Sequence, residues 1–196
     1  MRKSLFQNPV SVTGVTIAGL LLLGACQAET RQPPPQLVEQ GQALSTQFVA
    51  TLLPTLQAAM QQGGPVNAVE VCAVAAPRIA AELSEASGWS VTRVSLRARN
   101  QSSAVPDPWE ADMLADFDRR QLAGEPVAQL NAAEVVNGEF RYLQAQAAGP
   151  LCLTCHGTDI STEVQSVLDQ YYPQDMATGY IAGQIRGAIS MRVSLD

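Results

Sequence analysis

Leu151-Cys152-Leu153-Thr154-Cys155-His156-Gly157 decides how the rest of this chain is read. Cys-x-x-Cys-His is the attachment signature of a c-type haem. Two thiols three residues apart add to the two vinyl groups of one porphyrin, and the histidine after the second thiol falls beneath the iron as an axial ligand. The motif assigns Cys152 and Cys155 to covalent haem and His156 to the proximal iron site. Its position counts as much as its letters. A small electron-transfer cytochrome c is mostly helical and carries the motif near its mature start. Here the first motif cysteine is residue 152 of 196, behind a scaffold that mixes helical and extended patterns.

Two other chemistries use such cysteines. A thioredoxin-like redox pair follows the first strand of a βαβ unit, whereas this pair lies late, beside a hairpin signal. Zinc is the stronger rival, since Cys72, Cys152, Cys155 and His156 make a Cys₃His set by composition. Against zinc, Cys155 and His156 are adjacent, and neighbouring side chains seldom reach one tetrahedral ion together.

Working back from the motif, Val135-Val136-Asn137-Gly138-Glu139-Phe140 sets an Asn-Gly turn between apolar residues, a hairpin signal with Arg141 to Gln146 as the returning strand. Asp107-Pro108-Trp109-Glu110 is a helix start with N-cap, proline and acidic N3 residue in order. The spacing predicts Trp109, Met113 and Phe117 as that helix's buried stripe. From Trp89 to Asn100 a strand is predicted, with Thr92, Val94, Leu96 and Ala98 on one face and Arg93, Ser95, Arg97 and Arg99 on the other. Before it, Leu44, Phe48, Leu52 and Leu56 recur at helical spacing until Gly63-Gly64 ends the helix. Pro65 opens a second helix carrying Val69, Cys72, Ala76 and Leu83, with Pro54 and Pro77 as expected kinks. After the motif come a short helix from about Ser161 to Tyr171, a glycine-punctuated turn region from Gly179 to Gly187, and a strand over Ala188 to Leu195. The sum is an α+β fold around a small antiparallel sheet.

The N-terminus reads as an export signal over residues 1–25. Arg2 and Lys3 precede an apolar run from Val10 to Leu23 that is short for a bilayer span. Leu23-Gly24-Ala25-Cys26 resembles a bacterial lipobox, in which cleavage leaves Cys26 as a lipidated residue; the plainer alternative is a secretory signal with an incidental cysteine. Residues 26–36, with Pro33-Pro34-Pro35, form a stiff polar tether, and residues 37–196 the domain. The expected location is the periplasmic side of a bacterial membrane, held there by lipid. Losing the signal removes two basic residues and no acidic one, so the formal charge of −6 becomes −8. So acidic a surface argues against nucleic acid as a partner. A mean hydropathy of +0.03 and 46% hydrophobic content suit a globular domain.

His156 is the only histidine, so the far side of the iron takes a rarer ligand or none. With Cys26 given to lipid and Cys152 and Cys155 to haem, Cys72 is the unassigned thiol. It is either a small buried apolar residue or a distal iron ligand. Met60, Met113, Met176, Met191 and an open site are its rivals. Arg93, Arg97 and Arg99 are candidate contacts, one or more of them, for the haem propionates, with Arg97 and Arg99 preferred, against a plain solvated strand face. Tyr171, Tyr172 and Tyr180 either line the pocket or belong to the core.

Five blocks then carry a family resemblance: Gly64-Pro65-Val66-Asn67-Ala68-Val69-Glu70-Val71-Cys72, Arg97-Ala98-Arg99-Asn100, Pro106-Asp107-Pro108-Trp109-Glu110, Cys152 to Gly157, and Tyr172-Pro173-Gln174-Asp175-Met176-Ala177-Thr178-Gly179-Tyr180 running on to Arg186-Gly187-Ala188-Ile189-Ser190. The chain resembles the exported c-type haem family with a PAS-like fold, found as stand-alone proteins and as sensor modules of histidine kinases and chemoreceptors. The resemblance implies a PAS-like antiparallel sheet flanked by helices, one covalent haem c, and His156 with Cys72 as axial ligands. After Asn100 the family usually continues Pro and a second Asn, whereas this chain has Gln101-Ser102-Ser103. Two functions follow as expectations: a redox or small-ligand sensing module that passes its state to a protein partner, or a periplasmic electron-transfer cytochrome. A peroxidase-like enzyme fits poorly, because acid–base work at the haem would fall to arginine or a carboxylate.

Overall fold

The structure, a computed structural model, describes residues 33–195. The signal sequence, Cys26 and most of the tether lie outside the described residues. Helix α1 runs from Pro35 to Ser87, starting just inside the expected tether with proline at its favoured first turn. The expected break falls where glycine permits it. Gly64 has φ 71° and ψ −166°, a conformation that L side chains rarely adopt. The helix resumes at Pro65, whose missing N–H costs nothing at a helix start. Asn67 stitches the two halves, its Nδ2 donating to the Ala59 carbonyl at 2.9 Å. Pro54 and Pro77, the expected kinks, sit inside α1 without non-helical backbone, so neither splits it. Among the described residues no helix is long and apolar enough to cross a membrane.

Four strands make one antiparallel sheet in the order β1-β4-β3-β2, with β1 Ser90–Val94, β2 Asn131–Val136, β3 Glu139–Ala147 and β4 Ile185–Ser194. The Asn137-Gly138 hairpin forms as expected, both residues at positive φ (52° and 83°) as its tight turn demands. Helix α1 covers one face of the sheet: Phe48, Ile79 and Leu83 pack on Val91, Phe140, Tyr142, Ile189 and Met191. Gly41 makes that approach tight, since a Cβ there would come within 2.6 Å of the Tyr142 ring. Helix α2, Pro108–Leu122, covers the other face, with Leu114 and Phe117 on Val94, Leu143, Ala145, Ile185 and Ala188. Burying each such side chain stabilises the fold by about 1.5–3 kcal/mol, which is what holds three layers together.

Two expectations change. The predicted strand over Trp89–Asn100 ends at Val94, and its alternation is out of phase. Val91 is buried on the α1 side and Val94 on the α2 side, while Thr92 and Leu96 are exposed, and the chain bends after Val94. There Ser95 turns its hydroxyl to the Arg186 and Arg97 carbonyls at 2.8 and 3.0 Å. On α2 the buried stripe is Glu110, Leu114 and Phe117, with Trp109 and Met113 only partly covered. A buried glutamate is invisible to a search for apolar spacing. Its reason lies across the interface, where Ser190 donates to Glu110 Oε1 at 2.6 Å and Arg141 pairs with the same oxygen at 3.2 Å. Arg141 also holds Asp107 at 2.6 Å, the residue that caps α2 in a complete capping box.

The chain between β3 and β4 carries the motif. Pro150–Cys152 forms one tight turn, α3 spans Leu153–His156, and α4 spans Thr162–Tyr171 with Ser161 as its cap. Val164 and Leu168 of α4 pack on Val69 of α1, alongside Cys155 and Tyr172. This contact brings the second half of α1, and with it Cys72, to the motif.

Candidate functional site

Backbone hydrogen bonds fix His156 before any side chain acts. The Gly157 N–H donates to the Leu153 carbonyl at 2.8 Å, and a Cβ at Gly157 would lie 2.5 Å from that oxygen, so the turn needs glycine. The incoming loop then zips onto it: Gly179 donates to Gly157 at 2.8 Å and Tyr180 to His156 at 2.9 Å. The same loop supplies the Ala177 carbonyl, 2.7 Å from His156 Nδ1. Arg186 Nε is also a donor and lies 3.1 Å from Nδ1. One ring nitrogen cannot serve both. With Nε2 on a metal, Nδ1 carries the proton and donates to Ala177, the usual partner for a ligating histidine. Burial, then the charges of Arg186 and Arg99, push His156 well below its ordinary value, so the imidazole is neutral at pH 7, as a ligand must be.

Arg97 and Arg99, two of the sequence's three propionate candidates, make hydrogen bonds to this loop. Arg97 Nη1 donates to the Thr178 carbonyl at 3.0 Å, its guanidinium 3.6 Å from the centre of the Tyr180 ring. Arg99 Nη2 reaches the Cys155 carbonyl, the Ala177 carbonyl at 3.2 Å and the Asp175 carboxylate at 3.0 Å. Arg99 thus joins the motif, the carbonyl that orients His156, and the carboxylate that caps the Ala177 amide at 2.7 Å. Sequence reasoning missed Asp175, Ala177 and Arg186 as parts of the site, though all three stand in the blocks that carried the resemblance.

Cys72, Cys152 and Cys155 are free thiols of intermediate burial. Burial pushes Cys72 and Cys155 up. Against it, Arg93 and then Arg99 pull Cys72 down, and Cys152 is near enough to add to the rise. Cys72 therefore shares a neighbourhood with the motif although 80 residues separate it from Cys152 in sequence. Tyr172 packs with Cys155, and Tyr180 is buried beside Cys152 and Leu153. Tyr171 is 42% exposed. Met191 belongs to the core under α1 and Met176 is 56% exposed. Among the described residues no three His, Cys, Asp or Glu side chains are placed to hold one metal ion, so the Cys₃His zinc set is not assembled.

The donor set fits a haem: two free thiols on one turn, a neutral imidazole oriented through Nδ1, and a third thiol delivered by α1. The model of the Tll0287-like family matches residues 26–194. The chain belongs to the Tll0287-like family. Among solved structures, that of the cyanobacterial haem protein Tll0287 aligns with a TM-score of 0.61 at 21% identity, covering 83% of this chain and 94% of that one. No curated protein matches. The resemblance drawn from five sequence blocks is borne out, as is the α+β fold with helices flanking a four-stranded antiparallel sheet. At this identity the Tll0287 structure speaks for the fold of its family and not for the chemistry of this member.

Proposed function

We propose that this chain is a haem-binding module of PAS-like fold, carrying one c-type haem on Cys152 and Cys155. His156 is its proximal ligand and Cys72 its distal one. The observation that carries the reading is the setting of His156: pinned through Nδ1 to the Ala177 carbonyl and one residue from a free thiol. Membership of a family whose solved relative is described as a haem protein supports it. Haem would supply one-electron chemistry and an iron whose ligands respond to oxidation state.

The protein's part is to hold and tune. His156 stays fixed through its carbonyl bond in either oxidation state. Cys72, as a thiolate, holds ferric iron better than ferrous, which makes it the residue that registers redox state. That asymmetry favours a redox or small-ligand sensor, reporting to a separate protein, over an electron carrier. We place it on the periplasmic side, lipid-anchored through Cys26.

Absorption and EPR spectra of ferric and ferrous protein, wild type against Cys72→Ala, test this reading. The variant is expected to lose its low-spin thiolate signature while keeping haem through denaturing electrophoresis. Unchanged ferric spectra would remove Cys72 from the iron. Six-coordination that survives reduction and refuses carbon monoxide would make the protein a carrier instead.

A further inference from the structure

The arginines of the structure sort by what they touch. Among the described residues, Arg78, Arg99, Arg119, Arg120 and Arg141 each have a carboxylate within 4.0 Å. Arg97 has the Thr178 carbonyl, and Arg192 is exposed. Arg93 and Arg186 remain. Both are only partly exposed, and neither has a carboxylate partner among the described residues. Arg93 makes no side-chain hydrogen bond there and rests 5.8 Å over the Phe48 ring. The one acceptor facing Arg186 is His156 Nδ1, which ceases to accept once that nitrogen carries the ring proton.

Arg186 owes its position to a break in the sheet. Gln146 pairs with Gly187 and Ala147 with Ile185, so Arg186 is the extra residue of a β-bulge, the device that re-aims a side chain out of its strand's alternation. Arg93 points from β1 into the α1 face, where its charge is felt by Cys72 and Cys152. The two guanidiniums are near enough to repel, Arg93 being the neighbouring charge that most opposes Arg186. With Arg97 and Arg99 they put four arginines around the motif and its loop, where the one carboxylate in a salt bridge is that of Asp175. A protein with a net charge of −6 leaves a local surplus of positive charge there.

We infer that Arg93 and Arg186 are the residues that hold the two propionate carboxylates of the haem. This rests on the haem reading above and deepens it. Porphyrin brings two carboxylates, Arg93 and Arg186 are the two partly buried guanidiniums there that hydrogen-bond no protein oxygen, and guanidinium is the side chain whose fork suits a carboxylate. Of the three arginines on the strand pattern the inference keeps Arg93, releases Arg97 and Arg99, whose hydrogen bonds go to the loop that holds His156, and adds Arg186.

The test uses full-length exported protein, with Arg93→Met, Arg186→Met, the corresponding lysine variants, and Arg192→Met as the exposed control. Covalent haem is first confirmed by staining after denaturing electrophoresis. Resonance Raman then reads the propionate bending bands, and spectroelectrochemistry the reduction potential. Each methionine variant is expected to shift the propionate bands and lower the potential. Lysine should restore the potential more fully than the bands, because it returns the charge without the fork. Arg192→Met should leave both as in wild type. Propionate bands unchanged in both methionine variants, with haem attached, would overturn the assignment and leave the haem reading standing. So would an equal response to Arg192→Met. A wild-type protein without covalent haem would overturn both together.

Discussion

The two faces of the sheet carry polar clusters that differ in one respect: one is closed and the other is open. On the α2 face, Arg141 lies between Glu110 and Asp107, Ser190 completes Glu110, and both carboxylates cap the start of α2. Their charges answer each other and the positive end of the helix. At the His156 end, four arginines gather about the one salt-bridged carboxylate of Asp175, and neither Arg93 nor Arg186 has a carboxylate within 4.0 Å or a hydrogen bond to a protein oxygen among the described residues. In the closed cluster each charged side chain was desolvated together with an opposite charge, although Arg141 Nε is left without an acceptor. An open one is destabilising until an anion fills it, which is the property the propionate proposal uses.

Removing a member of the closed cluster should have the largest effect. Glu110→Ala leaves Arg141 buried with one carboxylate fewer, strips Ser190 of its acceptor and breaks half the capping box. Because Arg141 keeps Asp107, the expected loss is about 1–3 kcal/mol, the range for leaving buried polar groups unsatisfied. Urea unfolding measures it, and the haem absorption bands of the folded variant should match wild type. A loss below about 1 kcal/mol would mean that the cluster is not closed by Glu110.

Sequence made the two clusters unequally legible, for physical reasons. The motif announced Cys152, Cys155 and His156 because covalent chemistry needs a fixed spacing. The Asp107–Glu110 cap and the Asn137-Gly138 turn were readable because their partners lie within a few residues. What escaped were long-range pairings. Glu110 meets Ser190 across 80 residues, and Arg99 meets Ala177 across 78. Alternation also failed past Val94, where the chain leaves the sheet to bind the His156 loop, so a row of arginines that looked like one face serves separate tasks. Arg186 could not be singled out at all, since its aim comes from a bulge, and a bulge is a property of two strands in register.

A smaller effect should follow from the charge of Asp107. Burial pushes this carboxyl up, but hydrogen bonds from Arg141 and the Glu110 main chain, with the charge of Arg141, outweigh it and hold Asp107 below the usual carboxylate range. A depressed folded value contributes stability that is present above the unfolded pKa of about 3.9 and is lost as pH falls through the folded value. Asp107→Asn keeps a cap-forming side chain and removes that contribution. With the side chain 36% exposed, solvent screening limits the loss at pH 7 to about 0.5–1 kcal/mol. Wild type and variant should converge in stability as pH falls below the depressed folded pKa of Asp107. Parallel curves across the acid range would show that Asp107 acts through its cap alone.

The smallest expected effect is the most telling. Arg93→Met in a haem-free chain, made by replacing Cys152 and Cys155 with alanine, removes a partly buried cation that has no anion partner. The methionine keeps much of the apolar stem that rests on Phe48, and the desolvated charge disappears. Those two terms oppose each other, so stability should stay within about 0.5 kcal/mol of the haem-free parent or rise slightly. Urea midpoints at constant m-value measure this. An arginine that the fold does not need, buried where burial penalises it, is explained by a ligand. A loss above about 2 kcal/mol would instead make Arg93 structural, and the contrast between the two faces would then lie in visibility, with both clusters serving the fold.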